Sequence, residues 1–140
     1  MEFTAYTAEH PLCQSVVTTS GFRVTVNSFL IPERTAPNAN QYFHAYRIRI
    51  ENVGERGATL EWRYWTISDA LGHEQKVSGP GVVGKQPRLA PGQHFEYTSF
   101  CPLTTPYGQM EGQYRMVDDD GSSFAVSVGP FSLVYLPLLN

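Results

Sequence analysis

The sequence predicts an all-β protein, an antiparallel β-sandwich of seven to nine strands. Three observations carry that prediction. Short runs alternate apolar and polar residues with period two, as half-buried strands require. The 12 Gly and 10 Pro fall between β-branched and aromatic runs, where turns belong. No 3.6-residue pattern is long enough for a helix.

Taken in order, Phe22, Val24 and Val26 alternate with polar neighbours in a first clear strand. Tyr46, Ile48 and Ile50 do the same and send Arg47 and Arg49 to the opposite face. Asn52 to Gly57 is rich in turn formers and breaks the pattern. Leu60, Trp62 and Tyr64 alternate again, but Trp65 and Ile67 continue on the other parity, which places a β-bulge near Tyr64 and Trp65. Asp69 to Gly72 reads as a hairpin turn before a polar strand around Glu74 to Ser78. Leu89-Ala-Pro-Gly92 is a tight turn. Phe95, Tyr97 and Ser99 share a face of the next strand, and Met110, Gly112, Tyr114 and Met116 share a face of another. Asp118 to Gly121 closes a hairpin onto Phe124, Val126 and Val128, and Phe131, Leu133 and Tyr135 alternate in a last strand. The expected core is Phe22, Val24, Val26, Tyr46, Ile48, Ile50, Trp62, Phe95, Tyr97, Tyr114 and Phe131, with Trp65 partly exposed.

A chain of 140 residues is read as one domain. Residues 1–20 lack periodicity and are expected to form an N-terminal arm before a domain over 21–140. With 16% charged residues, eight Phe, eight Tyr and two Trp, disorder and coiled coil are excluded. A net charge of −3 offers no general field for nucleic acid or an anionic membrane. The apolar run from Phe131 to Leu139 contains Pro137 and is far short of the ~20 residues of a spanning helix. No secretory signal is expected in Met1 to Gln14, so the expected location is the cytoplasm or another intracellular space.

Few residues invite chemistry. Gly79-Pro-Gly81-Val82-Val83-Gly84 is a formal G-x-G-x-x-G, but Pro87 blocks the helix that a dinucleotide site needs. Two readings of this stretch stay open. It is a loop whose glycines permit positive φ, or a small anion nest. The nest would use Gly79, Gly81, the amides of Val82, Val83, Gly84 and Lys85, and the charges of Lys85 and Arg88. Asp118, Asp119 and Asp120 precede Gly121 as a hairpin turn and lack the spacing of a calcium loop. His10, His44, His73 and His94 show no ligand spacing, so neither metal nor cofactor is expected. Cys13 and Cys101 read as ordinary buried or half-buried thiols. His94 and Ser99 fall on opposite faces, which leaves no nucleophile and base pair and no catalytic residues.

Several segments in series resemble the ApaG domain. They are Tyr46–Asn52, Arg63–Ile67, Gly79–Pro87, Leu89–Gly92, Phe95–Ser99, Met110–Met116 and Pro130–Leu133. The resemblance runs in order from about Phe22 to Leu133. It implies an immunoglobulin-like, fibronectin type III-like sandwich. ApaG domains occur as small stand-alone bacterial proteins, linked by name to cobalt and magnesium efflux. They also occur as modules in F-box proteins and a polymerase-interacting protein, where they serve protein interaction. The resemblance makes the glycine loop a candidate pyrophosphate site, through Gly79, Gly81 and Gly84 only. The function expected is therefore a non-enzymatic module for a protein partner, without a cofactor. Phosphate, pyrophosphate or nucleotide binding at Gly79 to Arg88 is the alternative, and a role in cobalt or magnesium homeostasis is a further one.

Overall fold

The alternating stretches form nine strands in the computed structural model, which describes residues 10–135. Residues 1–9 of the expected arm and 136–140 of the C-terminal apolar run lie outside the described residues. The strands are β1 (Gln14–Thr19), β2 (Phe22–Leu30), β3 (Tyr42–Asn52), β4 (Ala58–Asp69), β5 (Glu74–Pro80), β6 (Arg88–Leu89), β7 (His94–Leu103), β8 (Tyr107–Asp118) and β9 (Ser123–Val134). One sheet has the order β1-β2-β3-β7. The other has the order β5-β4-β8-β9, with β6 paired to the start of β4. All the pairings are antiparallel. Among the described residues the only helical pieces are three short 3₁₀ turns, each begun by a proline.

Gln14–Thr19, within the segment expected to be an arm, is an edge strand against β2. Its side chains are alternately exposed and half-buried, and Val16 is 63% exposed. A strand that buries little on either face leaves a weak pattern to read. The last two expected strands are one, β9, with its register broken opposite Met110 and Gly112.

Apolar residues of both inner faces meet in one core. Phe22, Val24, Val26, Tyr46, Ile48, Ile50, Tyr97, Tyr114 and Phe131 are buried there, and Phe95 packs at its margin. Trp62 corrects the sequence reading. The register shift in β4 lies between Leu60 and Trp62, not near Tyr64 and Trp65. One extra residue at Glu61 turns the following side chains over. Trp65 therefore enters the core at 5% exposure, its ring edge-on to Tyr46, Tyr114 and Phe131. Trp62 goes to the outer face, where the Arg115 guanidinium lies 5.7 Å from its ring centroid.

His44 is also in the interior, fully buried, and neither ring nitrogen has a hydrogen-bond partner among the described residues. Burial lowers its pKa from 6.5 to about 4, so the folded protein holds a neutral imidazole. The sign follows from proton counts. Between pH 6.5 and 4 the unfolded chain binds a proton that the folded chain refuses. Stability from this site is therefore complete above the unfolded pKa and falls as pH drops toward 4, by about 3 kcal/mol. Urea midpoints measured from pH 7.5 to 4 should show that slope, and His44→Leu should flatten it. An identical slope in both proteins would refute the assignment.

The open seam as candidate functional site

The sandwich closes on one side and gapes on the other. On the closed side β1 and β2 pack against β9, and Ser28 Oγ donates to the Ser132 carbonyl at 2.6 Å between the sheets. On the open side the edges are β5 and β7, paired among the described residues only to β4 and to β3 respectively. Adjoining cavities follow this seam. One of about 160 Å³ lies between Asp69, His73 and Leu103. Two more, about 180 Å³ and 280 Å³, share Tyr46, Arg63, Trp65 and Ser99.

Arg63 is the residue that sequence reasoning missed. The bulge at Glu61 puts Arg63 on the inner parity with Trp65 and Ile67. A charge there is tolerated because the seam is open. Nη1 donates to the carbonyl oxygens of Pro80 at 2.9 Å and Gly81 at 3.1 Å. Among the described residues the guanidinium has no carboxylate within ion-pair distance, unlike Arg23, Arg49, Arg56, Arg88 and Arg115. The signal in the sequence is the switch of parity itself. A bulge placed between Leu60 and Trp62, which lets Leu60 and Trp65 share the core, also turns Arg63 inward.

Phenols wall the cleft. Tyr97 of one sheet and Tyr114 of the other share a hydroxyl hydrogen bond of 2.6 Å. Burial pushes both phenol pKa values up, and the Arg63 charge opposes this, so both stay neutral donors or acceptors. The Tyr46 phenol pKa is also raised by burial, a shift that Ser99, its register partner across the β3–β7 pair, opposes.

The glycine loop borders this cleft, and each of its glycines has its own structural reason. Gly79 pairs with Arg63, and a Cβ there would come within 3.0–3.2 Å of the guanidinium, so the missing side chain seats the arginine. Gly81 has φ +60°, and an added Cβ would collide with the Lys85 carbonyl oxygen. Gly84, at φ +78°, follows Val83 at φ +44° in a two-residue hairpin turn. That turn is closed by Val82 N to Lys85 O at 2.8 Å and Lys85 N to Val82 O at 2.9 Å. The amides of Val82 and Lys85 are thus spent on each other, and that of Gly81 on the Glu61 carbonyl. Arg88 is held by both oxygens of Asp119 at 3.0 and 2.7 Å. Of the nest read from sequence, the Val83 and Gly84 amides and the Lys85 side chain form no hydrogen bond or ion pair within the described residues.

Val83 is a β-branched residue with positive φ, held at the rim of the cleft and 52% exposed. Such a backbone costs about 1–2 kcal/mol. Val83→Asn, which suits the first position of this turn, should raise stability by about 1 kcal/mol in urea unfolding. No gain would mean that the turn is unstrained.

The remaining candidates are engaged in structure. Asp118 Oδ1 accepts from the amides of Asp120 and Ser122, both at 3.0 Å, and Oδ2 accepts from Arg56 at 3.0 Å. Cys13 and Cys101 are buried, and burial raises both thiol pKa values, that of Cys101 to about 11. Among the described residues no group of three or more His, Cys, Asp or Glu is placed to hold a metal ion. No helix among them is long and apolar enough to cross a membrane.

Comparison with known proteins agrees with this architecture. The Protein ApaG of Anaeromyxobacter dehalogenans (strain 2CP-C) is 50% identical over 126 residues, covering 90% of this chain and 99% of that one. The Protein ApaG of Paramagnetospirillum magneticum is 49% identical over 116 residues, covering 83% and 89%. The crystal structure of the putative ApaA protein of Bordetella pertussis superposes with a TM-score of 0.78 at 42% identity, covering 86% of this chain and 94% of that one. The family model described as the ApaG domain matches residues 32–118. The chain belongs to the ApaG domain family.

Proposed function

We propose that this protein is a non-enzymatic binding module that takes an extended segment of a protein partner along the open seam. One observation carries the reading. Among the described residues two strand edges, β5 and β7, stand unpaired on either side of a cleft whose lining includes a positive charge. Unpaired edges present free N–H and C=O groups, which an added strand satisfies. The cation inside favours a segment carrying an acidic group. Buried thiols with raised pKa values, and a buried histidine without hydrogen-bond partners among the described residues, make poor catalysts.

Ser99 lies midway along the seam and is half-buried. Ser99→Phe should fill the cleft and remove partners recovered by affinity purification. Trp62→Ala, on the outer face, should leave them in place. The opposite pattern, in proteins with folded spectra, would overturn the reading and move the contact surface to the outer face.

A further inference from the structure

We infer that the Nε–Nη2 edge of Arg63 is a receptor for a single carboxylate. Nη1 spends its two hydrogens on the Pro80 and Gly81 carbonyls, which fixes the plane of the guanidinium. Nε and Nη2 form no hydrogen bond among the described residues, and together they make the parallel pair of donors that a planar carboxylate accepts side-on. The group is seated against Gly79, where a Cβ would stand 3.0 Å from Nη2. It borders both cavities of the seam.

The chemistry of the lining selects the anion. Among the described residues Arg63 is the only charged residue lining these two cavities, which otherwise offer Tyr46, Trp65, Gln75, Tyr97, Ser99, Cys101 and apolar neighbours. One positive charge balances one carboxylate. Phosphate and pyrophosphate carry more charge and need several donors, and of the loop amides those of Gly81, Val82 and Lys85 are committed, which leaves only Val83 and Gly84. Beyond the guanidinium, Tyr46, Ser99 and Gln75 add polar groups to the lining, and Trp65, Ile67 and Val77 suit an apolar continuation of the ligand. The ligand is thus a monocarboxylate with an apolar body. A free metabolite and a peptide side chain or C-terminus share that chemistry. The peptide source rests on the function proposed above, whereas the carboxylate site rests on Arg63 itself.

The test is a titration of the full chain with 4-phenylbutyrate, followed through the Arg63 Nε–H and Trp65 indole N–H signals in NMR spectra. Saturable shifts of both are expected, with the uncharged 4-phenylbutyramide at least tenfold weaker and pyrophosphate a poorer competitor. Arg63→Met should abolish binding. Because that change also removes two bonds to the loop, Gly79→Ala provides a second route. It keeps the arginine but displaces it from its seat, and should weaken phenylbutyrate at least fivefold while leaving the melting temperature within a few degrees. Equal binding of acid and amide, tighter binding of pyrophosphate, unmoved Arg63 signals, or full affinity in both variants would each overturn the site. Peptides with a free and an amidated C-terminus, and with Glu or Gln inside, then separate the sources. Phenylbutyrate binding without any peptide binding would keep the carboxylate site and defeat the protein-partner reading. Peptides that bind equally well without a carboxylate, beside a silent phenylbutyrate titration, would do the reverse.

Discussion

Trp65→Ala should lower the unfolding free energy by about 3–5 kcal/mol, and Trp62→Ala by about 1 kcal/mol or less. The two tryptophans are three residues apart on β4, yet the bulge at Glu61 separates their fates. Trp65 is 5% exposed and touches three aromatic rings contributed by β3, β8 and β9, so its loss opens a cavity that strands from both sheets would have to fill. Trp62 loses a contact with Arg115 and some outer-face area, and the guanidinium keeps its ion pair with Glu61 at 2.7 Å. Urea unfolding of both variants measures the difference directly. Equal losses, or a larger loss for Trp62, would place the bulge where sequence periodicity alone put it.

Why periodicity misplaced the bulge has a physical answer. Reading β4 by apolarity, Leu60, Trp62 and Tyr64 form one uninterrupted face, and the parity switch is deferred until Trp65 forces it. The true switch, at Glu61, requires a charged residue to point inward at position 63. Pattern reading excludes that choice, because charges belong outside unless they are paired. The rule fails here because the inner face of β4 runs beside an open seam, where a guanidinium finds carbonyl oxygens and a cavity. A local break in the pattern therefore marks the site. Elsewhere the alternation was legible: β2, β3, β7 and β8 have the faces expected of them, because each buries one side in the core. The edge strand β1 was not, since a strand half-buried on one face and exposed on the other mixes Thr, Ser and Val without contrast. The glycine loop was legible as a loop. Which of its groups face a ligand was not, because amide satisfaction is settled by pairing across the turn and not by the spacing of glycines.

Gly81→Val should be among the most damaging single changes in the chain, at about 4 kcal/mol. Two costs combine. The backbone is at φ +60°, a left-handed conformation that costs a residue with a Cβ about 1–2 kcal/mol, and a β-branched one at the upper end. The added Cβ also runs into the Lys85 carbonyl oxygen, a backbone atom already fixed by its hydrogen bond from Val82. Relieving that clash means opening the turn, at about 1–3 kcal/mol for an overpacked site. Opening the turn also shifts the Gly81 carbonyl that receives Arg63, so the injury reaches the cleft. Gly84→Ala is the control within the same loop. It too has positive φ, but a Cβ there meets nothing within 4 Å, so its cost should stay near 1 kcal/mol. Denaturation midpoints for the pair separate steric collision from backbone preference. If Gly84→Ala were as destabilising as Gly81→Val, the left-handed backbone alone would account for both, and the close packing of Gly81 against Lys85 would carry no energy.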